Sequence, residues 1–259
     1  MMSDRSTTSA GPTITVLQHS PEVPLGAFEG LLADAYVRVV RPYAGDEVPT
    51  LVEVGDALLV LGGLMDAVDD VATPWLPQTR TLMRDAVDAD IPVLGVCLGA
   101  QLLAYALGGR VAVAAPPGRE AGVIELGWRP EAASDPMFGA LARRAGVDDG
   151  TGPVVRGVAT HAASMHADAV VELPRDAVWL ASSPVYPFQA FRVGSAVGVQ
   201  FHPEATVPIM SAWAERAGED VAAVEAQLAA HAAELDELAG TVASAFLAQA
   251  LGARTPVDA

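Results

Sequence analysis

The sequence predicts an α/β fold of three layers, a mostly parallel sheet with helices on both faces. Three observations carry that expectation. Short β-branched or Leu-rich runs (ITVLQH, YVRVVRP, DALLVLGG, PVLGVC) alternate with helical or loop stretches in the first part of the chain. From Ile91 to Gly109 no residue is charged, yet Pro92, Gly95 and Gly99 divide the run into a short strand and a separate helix, the pattern of a buried parallel strand feeding a buried helix. A length of 259 residues suffices for one full core.

Taken in order, residues 1–12 (MMSDRSTTSAGP) are small and polar and are expected to be disordered. The helices expected between the first strands are LGAFEGLLADA and PWLPQTRTLMRDAVDAD, the second stopping just before Pro92. The middle of the chain changes character. VAVAA, GVIELGW, PVVRGVATHA, AVVELP, VWLASS, PFQAFRV and SAVGVQFH read as strands with few helical intervals, a partly antiparallel extension of the same sheet. From Val207 to residue 259 the pattern is helical. Val221, Val224, Leu228, His231, Leu235, Leu238, Val242 and Ala245 recur three and four apart, which puts one apolar stripe on one helix face. That stripe is expected to dock on the body of the same domain, a homodimer seam being the rival, and Gly240 is expected to bend or end the helix. No linker divides the chain.

Composition excludes several functions. The formal charge of −17 would repel a nucleic-acid backbone or an anionic membrane surface. No membrane span is expected, because Pro92, the glycines and Gln101 break the uncharged run. All 15 basic residues are Arg, so Schiff-base chemistry and a phosphate-loop lysine are both absent. A single cysteine and the lack of a charged-then-apolar leader suit a cytoplasmic protein. The 5 histidines lack zinc-like spacings with cysteine or with one another, so no metal is expected.

The lone Cys97 sits in GVCLG, where a strand runs straight into a helix. Glycines on either side let neighbouring backbone pass close, and the turn holds the thiol at the end of the sheet. The helix's first amides point at the sulfur unpaired, favouring the anion and offering donors to an oxyanion. Taken alone, the pattern fits a small buried apolar residue equally well. Far downstream, VGVQFHPE places His202 and Glu204 two apart in an extended segment, so the carboxylate can reach the imidazole while the imidazole faces the sulfur. Both sites fall at carboxyl ends of strands, where open α/β sheets build their sites. Histidine before acid is the wrong order for an α/β-hydrolase.

GVCLGAQLLA together with VGVQFHPE resembles the class I, or triad-type, glutamine amidotransferases, in particular proteins similar to the glutaminase domain of GMP synthetase. LVLGGLMDAVDDVATPWL, ELGW, SMHADAVVELP and FQAFRVG resemble further segments of that family, in its order, from roughly residue 57 to 206. The resemblance implies a flavodoxin-like amidotransferase domain over residues 13–206. It implies that Cys97 is the nucleophile, His202 its general base and acid, and Glu204 the group orienting His202. It further implies that the amides of Gly63 and Leu98 form the oxyanion hole and that Gln101 helps hold the substrate. The chain departs from the family at Leu64, where Pro is frequent, and at Ala167, where Gly is frequent. His166 and Asp168 match a His-x-Asp segment that could shape the pocket or be a turn with a satisfied histidine. Trp128 reads as packing and Arg192 as a salt-bridge or surface group.

The reaction implied is hydrolysis of the glutamine side-chain amide through a cysteinyl thioester, with no cofactor. No Ser-Gly-Gly phosphate loop occurs in this sequence, so either a separate ATP-dependent synthase subunit takes the ammonia or the reaction is simple hydrolysis of a glutamine-like amide, with the acceptor unidentified. The same triad would serve a γ-glutamyl amide or peptide hydrolase. A non-catalytic regulatory protein keeping the fold is the third reading.

Overall fold

The computed structural model describes residues 11–148 and 157–253. The strands are β1 (Thr13–Leu17), β2 (Tyr36–Val40), β3 (Ala57–Val60), β4 (Val93–Val96), β5 (Arg110–Ala112), β6 (Glu120–Trp128), β7 (Thr160–His166), β8 (Ala169–Glu172), β9 (Val178–Ser182), β10 (Ala190–Val193) and β11 (Ala196–Val199). The helices are α1 (Phe28–Leu31), α2 (Leu76–Asp88), α3 (Leu98–Ala106), α4 (Gly139–Arg144), α5 (Val207–Ala217), α6 (Val221–Ala230) and α7 (Ala232–Ala253). One nine-stranded sheet runs β2-β1-β3-β4-β11-β10-β9-β6-β7, and β5 and β8 form a small antiparallel pair. From β2 to β11 the pairings are parallel, and from β11 to β7 they are antiparallel.

Burial on both faces explains why β3, β4 and β11 read as unbroken apolar runs, since every residue in them is buried. The pleat still sorts their side chains. Ala57, Leu59, Leu94, Val96, Val197 and Val199 join Phe28 of α1 and Val242 and Phe246 of α7 in one core. Leu58, Val60 and Val93 join Leu82 and Met83 of α2 and Leu102 and Leu103 of α3 in the core on the opposite face. Each fully buried aliphatic contributes on the order of 1.5–3 kcal/mol of transfer free energy, so the three-layer sandwich is sealed from both sides. A third cluster binds Met210 and Trp213 of α5 to Val224 and Leu228 of α6 and to Ala163 of β7.

Several expectations need correction. The helix expected over LGAFEGLLADA is reduced to the four residues of α1, because Gly26 takes a left-handed conformation and blocks an earlier start. The stripe from Val221 to Ala245 is carried by two helices that break at His231, with the earlier part on the α5 cluster and the later part on the main core. Gly240 neither bends nor ends a helix, since α7 runs through it to Ala253. The short helix α4 went unread. Residues 1–10 of the expected disordered tail, 153–156 of PVVRGVATHA and 254–259 lie outside the described residues. No helix among the described residues is long and apolar enough to cross a membrane.

Backbone packs closely where α3 leaves β4. A Cβ at Gly99 would come to 2.1 Å from the Val60 carbonyl oxygen, and one at Gly95 to 2.6 Å from the Gly99 carbonyl. Gly99→Ala should therefore cost about 2 kcal/mol or more in urea unfolding, because rigid backbone has to move. Gly240→Ala meets nothing within 4 Å and should instead stabilise by roughly 0.5–1 kcal/mol. Equal midpoints for the two variants would contradict this account of the junction.

Candidate active site

Three adjacent parallel strands end at the same place. The Gly62-Gly63 loop follows β3, Cys97 follows β4, and the His202 segment follows β11, with β4 paired in register to both neighbours. Cys97 joins β4 directly to α3 at φ 51° and ψ −107°, a conformation that costs a non-glycine residue on the order of 1–3 kcal/mol. Two backbone bonds hold it there. Its amide donates to the Val199 carbonyl at 2.8 Å, and its carbonyl accepts from the Gln101 amide at 3.0 Å. The side chain is thereby turned off the end of the strand toward the Gly62-Gly63 loop, and a Cβ on Gly62 would lie 3.5 Å from that of Cys97.

After β11 the chain leaves the ladder. The sequence suggests an extended segment at His202-Pro203-Glu204; the chain turns here instead, with the Ala205 amide donating to the His202 carbonyl at 3.3 Å. The pair still meets, and Nδ1 of His202 lies 2.7 Å from Oε1 of Glu204. The His202 amide donates to the Ala163 carbonyl of β7, and the Glu204 carbonyl accepts from the Ala27 amide, both at 2.8 Å. Exposure falls along the row, from 7% at Cys97 to 3% at His202 and 0% at Glu204. Burial alone would push the His202 imidazole down. The Glu204 carboxylate and the Cys97 sulfur, each by charge and by hydrogen bond, outweigh it and hold the ring up at about 10. With Nδ1 engaged by Glu204, Nε2 is the nitrogen left for the sulfur. The Trp213 ring lies 4.5 Å from the imidazole, centroid to centroid, and closes that side to water.

A cavity of about 310 Å³ opens over Cys97 and His202, and Gly63, Leu98 and Gln101 also line it. The Leu98 amide is the first of α3 and has no intrahelical acceptor. Gln101 Nε2 donates to the Asp168 carbonyl at 2.9 Å and to Gln200 Oε1 at 3.3 Å, while Gln200 Nε2 lies 3.7 Å from Cys97 Sγ. Gln200 escaped the sequence reading, although its place beside Phe201-His202 was a signal. Asp66, Asp168, Arg119 and Arg216 line the cavity as well. Burial and the neighbouring Asp66 raise Asp168 above the usual carboxylate range, against a bond from the Ala114 amide. The cavity thus offers both signs of charge.

The departures at Leu64 and Ala167 both face this cavity. His166 is satisfied on both nitrogens, by the Asp168 carbonyl at 3.0 Å and by Glu120 Oε2 at 3.1 Å, and Ser183 and Gln189 also bond Glu120. It shapes the wall through a buried network. Trp128 packs on Phe138 and donates to Thr160, and Arg192 makes a two-pronged ion pair with Asp135. His19, enclosed behind the glycine loop, accepts from Trp75 Nε1 at 3.1 Å, and burial pushes it down to about 4. It is neutral at physiological pH.

A family model described as glutamine amidotransferase class-I matches residues 29–211. The chain is similar to a glutamine-hydrolyzing GMP synthase subunit of Natronomonas pharaonis, 38% identical over 120 residues, which are 46% of this chain and 55% of that protein. It is 33% identical over 150 residues to the glutamine-hydrolyzing GMP synthase of Photobacterium profundum, covering 57% of this chain and 25% of the relative. The chain therefore spans little more than half of the first relative and about a quarter of the second. A crystal structure of a glutamine amidotransferase from Methylobacillus flagellatus superposes with a TM-score of 0.75 at 26% identity, covering 92% of this chain and 94% of that one. One from Thermotoga maritima has a TM-score of 0.75 at 22% identity over 91% and 97% of the two chains, a likeness of fold.

The His202 environment has a measurable consequence. A histidine raised from 6.5 to about 10 in the folded state adds stability that is fully present below pH 6.5 and is lost as pH rises toward 10. Glu204→Gln removes a main cause of that rise. The melting-temperature gap between wild type and Glu204→Gln should therefore narrow steadily from pH 6.5 to 10 in a series of thermal melts. A gap that stays constant or widens across that window would contradict the assigned pairing.

Proposed function

Because the chain belongs to the class-I glutamine amidotransferase family, we propose that it hydrolyses the side-chain amide of glutamine through a thioester on Cys97. The observation that carries this reading is the buried row from Cys97 through His202 to Glu204, at the carboxyl ends of the adjacent parallel strands β4 and β11 and open at one end to a cavity. The Cys97 thiolate attacks the amide carbon, and the tetrahedral oxyanion rests on the Gly63 and Leu98 amides. The imidazolium of His202 gives its proton to the leaving nitrogen, and ammonia departs as the thioester forms. Neutral His202 then takes a proton from water, which attacks the thioester to release glutamate and restore the thiolate–imidazolium pair. Glu204 holds Nδ1 throughout and stays ionised. Gln101 and Gln200 position the reacting end.

The charged residues lining the cavity support an amino-acid substrate. We assign its α-carboxylate to Arg119 and Arg216, which also pair with Glu219 at 3.6 Å and Glu22 at 3.9 Å, and its α-ammonium to Asp66 and Asp168. We assign the ammonia to a separate ATP-dependent synthase subunit, in line with the relative that is named as one subunit of a GMP synthase, and place the reaction in the cytoplasm, where the thiol stays reduced. Measuring ammonia from glutamine beside amine from γ-glutamyl anilides separates the amidotransferase from a γ-glutamyl hydrolase. A well-folded protein that forms no Cys97 adduct with a glutamine-analogue electrophile would instead be a binding protein.

With glutamine as substrate, Cys97→Ala should lower kcat by more than about 10³-fold and His202→Ala by about 10²–10⁴-fold. Glu204→Gln should cost less than His202→Ala, because the carboxylate orients and transfers no proton. Equal losses in the last two would refute the division of roles. Arg216→Ala should raise KM about 10-fold with kcat within a few-fold, the signature of a lost charge-assisted contact to the ground state. An unchanged KM would remove the arginine from the carboxylate site.

A further inference from the structure

We infer that His161, His231 and Glu234 form a binding site for a divalent transition-metal ion of the zinc class, which ties the break between α6 and α7 to strand β7. His161 lies near the start of β7, at the edge of the sheet, and His231 is the single residue between α6 and α7. Glu234 follows three residues later on the first turn of α7. The two imidazole centroids are 3.9 Å apart, and the Nδ1 atoms of His161 and His231 face the same carboxylate, at 2.5 Å from Oε2 and 3.5 Å from Oε1.

One donor atom from each residue lies within 4.8 Å of the others. In a tetrahedral zinc site with bonds of about 2.0–2.1 Å, ligand atoms stand roughly 3.4 Å apart. Admitting an ion takes rotation of the side chains, since the 2.5 Å between His161 Nδ1 and Glu234 Oε2 must open while the wider separations close. Two imidazoles and a carboxylate are borderline ligands suited to zinc, copper or nickel and poorly suited to calcium or magnesium. All three side chains are partly exposed, which leaves an entry path and a water position to complete the coordination. Across β6, Glu125 pairs with His161 in the strand register and adds negative charge nearby.

The expectation that no metal is bound rested on spacing along the chain. His161 and His231 come from a strand and a helix break that only folding brings together. Two residues beyond His161, the Ala163 carbonyl holds the His202 amide, so an ion here would brace the strand against which the His202 segment is bonded. The proposal stands independently of the amide chemistry.

The test uses the full chain carrying Cys97→Ala, which removes the other thiolate–imidazole pair able to take zinc, after treatment with a chelator. Calorimetric titration with zinc chloride should show one equivalent bound, and a hundredfold excess over Kd should raise the melting temperature by roughly 5 °C or more. His231→Gln and Glu234→Gln in that background should each weaken binding at least tenfold. In the Cys97→Ala chain without those changes, cobalt(II) should develop a visible band of four-coordinate type that excess zinc abolishes. Absence of saturable binding tighter than about 1 mM, or affinity unchanged in both variants, would overturn the site.

Discussion

The structure depends on one close approach, that of the α3 N-terminus against the ends of β3 and β4. At Gly95 and Gly99 there is room only for hydrogen, with backbone carbonyls at 2.6 and 2.1 Å from where a side chain would begin. This contact lets the chain pass from strand to helix with Cys97 as the single joint, in a conformation that side-chain-bearing residues rarely adopt. Sealed cores on both faces of the sheet hold the strain in place. In return the sulfur stands off the strand end beside the first free amide of the helix. Loosening the contact would let the joint relax to an ordinary turn and swing the sulfur away from His202.

From that joint the remaining geometry follows by strand register. β4 has β3 on one side and β11 on the other, all parallel. Their carboxyl ends are level, so the glycine loop, the thiol and the imidazole arrive at one rim without any long-range adjustment. Placing three ionisable groups in so buried a position is costly in isolation. Here the cost is offset within the row, because carboxylate, imidazole and sulfur are consecutive partners and each takes the charge the next requires. His19 shows the alternative nearby: equally buried and bonded only by a neutral indole, it is driven to the uncharged form.

The C-terminal helices contribute more than closure of the core. Trp213 of α5 covers the imidazole, and Arg216 of the same helix lines the cavity. α6 and α7 continue one apolar stripe across a break, and the break presents His231 to His161 on the edge strand. The helical extension is therefore joined to the site both by packing and through the strand that holds the His202 amide.

The local sequence determined the strands that are buried on both faces, because uniform apolar character leaves no other place for them. It also determined the strand-to-helix turn at Cys97, because GVCLG permits a close approach that few other patterns allow. Pairing of His202 with Glu204 was legible from their spacing, though the backbone that achieves it is a turn. The short α1, the break at His231 and the uninterrupted α7 were not legible, since apolar periodicity records which face is buried and not where hydrogen bonding stops. Trp213, Arg119 and Arg216 entered the site only through tertiary structure. Their sequence neighbourhoods are ordinary, and what gives them a role is the convergence of a strand end, a loop and a helix on one cavity. The meeting of His161, His231 and Glu234 was decided in the same way, since a ligand set drawn from a sheet edge and a helix junction leaves no spacing along the chain from which to read it.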